Sequence, residues 1–138
     1  MADLDYAFLA DYAVVEGGKL TAVGASYTYI VAGPMPAAHN LVLAGRIRAP
    51  ENVRSIPLTL RVEPPDGSYI VDLSAELHRD PSAQPYAGKL GFLFSLSFGM
   101  PLPVFGLYQI YLRLDGADVR RLAFEVVGQQ PDVAPLSS

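Results

Sequence analysis

Cysteine is absent from the 138-residue chain. That excludes disulfides, thiolate nucleophiles and cysteine-ligated metals. A single domain of this length buries roughly two-thirds of the surface its unfolded chain exposes, so its core needs no such staple. Charge is also scarce, at 17% of residues, against roughly 25% in soluble domains. The balance is acidic, net −4, and the ten Lys and Arg are scattered, the tightest pairs being Arg46 with Arg48 and Arg120 with Arg121. A nucleic-acid surface needs a basic patch, so that partner is not expected. There are two histidines, His39 and His78. No G-x-S-x-G elbow accompanies either of them. No apolar run approaches the roughly 18 residues of a membrane span. The opening MADLDYAFLADYAVV carries Asp3, Asp5 and Asp11 and no basic residue, unlike a secretory signal. The expectation is a cytoplasmic protein.

What remains is apolar residues, 51% of the chain, set in a rhythm of two. In IPLTLRVE, 56–63, Ile56, Leu58, Leu60 and Val62 alternate with Pro57, Thr59, Arg61 and Glu63, the period of a half-buried strand. Segment 41–49 alternates in the same way, as do 68–77 and 89–98, where Leu90, Phe92, Phe94, Leu96 and Phe98 share a face. The passage 105–127 is a hairpin. Tyr108, Ile110, Leu112 and Leu114 face in, Asp115-Gly116 turns, and Leu122, Phe124 and Val126 face in on the return. The first third alternates more weakly, as one strand to about Val15, an EGGK turn at 16–19, and a strand over 20–31. PPDG at 64–67 is a turn, and 32–40, 78–88 and the proline-broken 99–105 are loops.

These features predict an all-β fold, an immunoglobulin-like two-sheet antiparallel sandwich of about eight strands. The domain spans 1–127, and 128–138 is a flexible tail. A closed eight-stranded barrel is the rival. The start of the strand at 107, Leu-Tyr after Phe-Gly, predicts a tyrosine corner, with Tyr108 bonding back to the loop before it. The segments LDYAFLADYAVVEGGKLTAVGASY, LVLAGRIRAP and the G-L-Y-x-x-x-L-R-L-D-G ending together resemble a family of short bacterial proteins of unknown function. The resemblance rests most on Ala10-Asp11-Tyr12-Ala13, on Gly18-Lys19-Leu20 and on Gly24. It implies a β-sandwich and supplies no catalytic residue.

Chemistry-bearing constellations are sparse. His78-x-Asp80 offers two ligands where zinc takes three or four. Asp3 and Asp5 read as charges that blunt an edge strand. Asp11 lies inside an apolar segment and reads as a partner for a neighbouring loop. Gly17, Gly18 and Gly24 form no phosphate-binding fingerprint. No enzyme, metal site or cofactor is expected.

The apolar excess points instead to an interface. Tyr27 and Tyr29 share a strand whose two sides are both apolar, Tyr111 faces outward, and the greasy loop 99–105 adds Met100, Leu102, Val104 and Phe105. Tyrosine favours interfaces because it offers large area and a polar tip. The expected function is a non-enzymatic protein-interaction or assembly module, its partner another protein or itself as a homo-oligomer. The alternative is a small-ligand or carbohydrate-binding sandwich, with Tyr27, Tyr29 and Tyr86 as platform and Asn40, Asp80 and Gln84 as polar contacts.

Overall fold

In the computed structural model, which describes residues 2–129, the alternation becomes strand without helix. The strands are β1 (Asp3–Ala10), β2 (Tyr12–Glu16), β3 (Lys19–Val23), β4 (Tyr29–Ala32), β5 (Ala37–Pro50), β6 (Ser55–Glu63), β7 (Val71–His78), β8 (Lys89–Leu102), β9 (Gly106–Leu114) and β10 (Ala117–Gly128). From residue 130 on, the expected tail lies outside the described residues; its first residue, Gly128, belongs to β10.

Two strands expected to be continuous are broken, and the breaks face each other. The first stops at Asp11, whose N–H reaches the carbonyls of Val23 (3.1 Å) and Gly24 (3.3 Å). Ser26 N–H returns to the Leu9 carbonyl at 2.7 Å. Gly24 has φ +63, and a Cβ there would lie 2.2 Å from the Asp11 carboxylate. Only glycine fits that conformation in that space. Asp11 therefore works as the structural partner of the 24–26 bend.

β1, β5 and β8 form a three-stranded antiparallel sheet in the order β1-β5-β8. A second sheet runs β4-β10-β9-β6-β7, antiparallel except for β4, which lies parallel to β10. β2 and β3 make a separate hairpin. One core joins the two larger sheets. Leu41, Leu43, Ile47, Leu90, Phe92 and Phe94 come from the first, and Ile56, Leu58, Leu60, Val62, Tyr108, Ile110, Leu112 and Phe124 from the second. A small satellite of Ala10, Ala13, Val42 and Ala44, with Phe8 and Leu20 packed on it, seats the hairpin on the outer face of β5. That is why β5 is buried on both faces over 41–45.

Tyr108 is fully buried, and its hydroxyl donates to the Val104 carbonyl at 2.6 Å. Its ring stacks on Phe124 with centroids 5.7 Å apart. The expected return contact to the preceding loop is present. Ion pairs such as Arg61–Asp72 at 3.0 Å and Lys89–Asp3 at 3.2 Å lie on outer surfaces. Exposed pairs are worth about 0–1 kcal/mol each, so apolar burial carries the fold.

Candidate interaction surface

β8 pairs with β5 from Lys89↔Pro50 to Leu102↔Ala37 without a register shift. Its inward side chains are Leu90, Phe92 and Phe94, then Leu96 and Phe98, and finally Met100 and Leu102. The expected loop 99–105 is thus strand up to Leu102, and Met100 (3% exposed) and Leu102 (1%) face the core, not a partner. Two prolines suggested a break. Pro101 is tolerated because its missing N–H would face away from β5.

The direction of the β8 backbone groups follows from two contacts. In an antiparallel strand a residue's N–H and C=O point to the same side, and the side alternates. Lys89 exchanges both bonds with Tyr86, outside the β5 ladder, at 2.8 and 2.9 Å. The Pro101 carbonyl likewise leaves the sheet and accepts the Tyr69 hydroxyl at 2.6 Å. Gly91, Leu93, Ser95, Ser97 and Gly99 share this parity. Among the described residues no strand pairs with them on that side. The result is an open ladder closed at one end by Tyr86 and at the other by Tyr69 with Pro101.

Other sheet edges are blunted. β1 carries Asp3 and Asp5, which pair with Lys89 and Arg46. β4 has four residues. β7 sets Asp72 and Glu76 outward. β8 has no charged residue after Lys89. An edge this long and uncharged is what folded proteins normally avoid, because it templates pairing. Below it, between β7 and β8, is a cavity of about 320 Å³ lined by Leu60, Leu73, Leu96 and Phe98 with Ser74, Ser95 and Ser97.

The other sequence-predicted residues scatter. Tyr29 (62% exposed) lies on β4, opposite Glu125 of β10, which also pairs with Leu107 of β9. Phe105 (47% exposed) packs beside Gly128. Together with exposed Val31 they make an apolar corner of the five-stranded sheet. Val104 is half-buried. Tyr111 is half-buried among polar neighbours, with its hydroxyl on Gln109 at 3.2 Å. Tyr27 turns inward, edge-on to Phe124 at 5.9 Å, and its hydroxyl meets His39 Nε2 at 2.9 Å.

Burial first and the Asp11 charge second push the Tyr27 phenol up to about 12. Burial lowers the His39 imidazole, and Asp11 partly offsets this. A lowered histidine binds its proton more tightly in the unfolded chain. Its contribution is therefore complete above about pH 6.5 and is lost as pH falls toward the folded value. We expect the unfolding free energy to decline as pH falls below about 6.5, and His39→Gln to flatten that decline in urea titrations. An unchanged slope in the variant would exclude His39 as its source.

Tyr86 stands apart from Tyr27 and Tyr29. It lies on the three-stranded sheet, under the guanidinium groups of Arg46 (5.6 Å) and Arg48 (4.9 Å), and Arg46 also covers Tyr6 at 5.1 Å. The Arg48 Nε is buried without a hydrogen-bond partner. The three-tyrosine sugar platform is thus not assembled. Tyr86 does share a groove of about 660 Å³ with Asp80, Gln84, Tyr6, Arg46, Arg79 and Lys19, between the β2–β3 turn and the loop before β8. His78 lines the same groove. Asp80 accepts from Ser82 N–H and Oγ, and no three His, Asp or Glu converge on a metal position among the described residues.

The β8 edge is a feature the sequence reading missed. Its signal was the uncharged run after Lys89, but nothing in one sequence says which side of a strand lacks a neighbour. Among the described residues there is no helix long and apolar enough to cross a membrane. No curated protein matches the chain. A family model described as "Family of unknown function (DUF6941)" matches residues 5–127, and the chain belongs to that uncharacterised family.

Proposed function

We propose that this chain is a non-enzymatic interaction module of immunoglobulin-like type, and that it works by accepting a β-strand along the open edge of β8. The single observation that carries the reading is the ladder from Gly91 to Gly99, to which no strand pairs among the described residues, with an apolar cavity between it and β7. Strand addition gives affinity through main-chain bonds and specificity through the pockets that receive alternate side chains. The immunoglobulin-like assignment draws support from the Tyr108 corner, from the parallel β4–β10 pair and from the shared core of the two sheets.

Proline at position 95 tests this. The Ser95 N–H faces away from β5, so Ser95→Pro removes no bond within the sheet and blocks an incoming strand. The tagged protein purified from its native source is expected to elute above its own 14.8 kDa. The variant elutes at that mass, with an unfolding free energy within about 1 kcal/mol of the parent. If the variant keeps the assembly and Tyr29→Asp dissolves it, the working surface is the β4 corner and the proposal fails.

The 660 Å³ groove favours a second reading, a small-ligand site, because it gathers Tyr86, Asp80 and Gln84 with three cationic side chains. A thermal-shift screen of glycans and anionic metabolites tests it. A rise in melting temperature that Tyr86→Ala abolishes supports the reading, and a flat response removes it.

A further inference from the structure

The identity of the incoming strand rests on the edge reading above and takes it one step further. We propose that the strand is β8 of a second copy of this chain, paired antiparallel about a two-fold axis through Ser95. Three features of β8 lead there.

The first is the symmetry of the free window. Its outward residues are Gly91, Leu93, Ser95, Ser97 and Gly99, and the blocked positions on either side are Lys89, held by Tyr86, and Pro101, held by Tyr69. Ser95 is the midpoint. In the two-fold register Ser95 meets the partner's Ser95, Leu93 meets the partner's Ser97, and Gly91 meets the partner's Gly99. Every open N–H and C=O then finds a mate, giving roughly ten new main-chain hydrogen bonds. Each blocked end meets a blocked end, so the register stops itself where the ladder stops.

The second is charge. Between Leu90 and Leu102 the strand carries none. Identical strands laid antiparallel often place like charges together, which is destabilising. Here no register of the window does so.

The third is what lies on the inner face. The two-fold register places Phe92 opposite the partner's Phe98 and Phe94 opposite the partner's Leu96. Leu96 and Phe98 are half-buried and line the cavity above Leu60 and Leu73. Pairing covers these side chains with apolar neighbours and joins two three-stranded sheets into one continuous sheet across the dimer. Such an isologous contact is closed and does not propagate into fibres.

The absence of cysteine makes the register testable with single substitutions. Paired Ser95 residues have Cα atoms roughly 5.5 Å apart, within the roughly 4.4–6.8 Å that a disulfide spans. Two Ser97 residues are separated by four residues of strand, roughly 13 Å. Under mild oxidation of the purified chain, Ser95→Cys becomes mostly a species of twice 14.8 kDa on a non-reducing gel, and Ser97→Cys stays single. Light scattering of the unmodified chain is expected to give a doubled mass that dilution or Ser95→Pro halves.

Efficient cross-linking by Ser97→Cys and not by Ser95→Cys overturns the register. A purified chain that is monomeric at every concentration overturns the second copy as partner. If that monomer still joins an assembly in its native source, and Ser95→Pro abolishes it, the edge itself remains the working surface and accepts a strand from another protein.

Discussion

Replacing Phe124 by alanine lowers the unfolding free energy by about 3–5 kcal/mol, the range for removing a buried aromatic. Phe124 is fully buried and stands where three other rings meet. Tyr108 stacks on it at 5.7 Å, and Tyr27 and His39 pack at 5.9 and 5.7 Å. Truncation leaves a cavity that these neighbours cannot close together. Tyr108 is tied to Val104, and Tyr27 and His39 are tied to each other. Urea denaturation measures the loss. A cost below about 1 kcal/mol would mean that the cluster collapses freely and is not the rigid centre described here.

Gly45→Val has an effect of similar size from the opposite cause. A Cβ at Gly45 would lie 2.2 Å from the Tyr6 carbonyl oxygen, 2.9 Å from the Ala7 Cα and 2.9 Å from the Phe94 ring. Two of these contacts are main chain, so no rotamer change relieves them. β1 must move off β5, or the variant must not fold. The expected loss is about 3 kcal/mol, the upper part of the range for overpacking. The structural readout is specific: amides of the β1–β5 ladder, those of the hydrogen-bonded Phe8–Ala44 pair among them, lose exchange protection before those of β9 and β10. A valine accommodated without loss of stability would contradict the tight β1–β5 approach.

The parts of the fold that were legible in the sequence are those fixed by local chemistry. Segment 56–63 alternates because β6 has one face on the core. Asp115 and Gly116 take φ of 51° and 79°, as a tight hairpin turn requires. Tyr108 reaches Val104 because its position at the start of β9 sets that geometry. Asp11 lies where a structural partner was expected, although the break it makes was not foreseen. The Asp11–Gly24 contact joins residues from two strands, and alternation within either strand is blind to it.

What was illegible depends on neighbours. Tyr27 and Tyr29 are two residues apart and looked equivalent. Tyr27 is held inward by His39 and Phe124, and Tyr29 has only solvent beyond it. Met100 and Leu102 fall where two prolines predict a surface loop, because proline interrupts most strands. On an outer edge the missing N–H costs nothing, and the inward alternation runs on. The openness of β8 is a property of the sheet order, and sheet order comes from long-range pairing that one sequence does not display.

The most direct measurement is amide hydrogen exchange along β8, resolved residue by residue, in the concentrated protein and again after dilution. The N–H groups of Phe92 and Phe94 point toward β5 and are protected in both states. Those of Leu93, Ser95 and Ser97 point outward. They are expected to be protected in the concentrated protein and to exchange freely on dilution; in Ser97→Pro, which has no N–H at position 97, those of Leu93 and Ser95 are expected to stay unprotected at any concentration. Rapid exchange of the outward amides at every concentration, in a sample that light scattering shows to be assembled, would contradict the account.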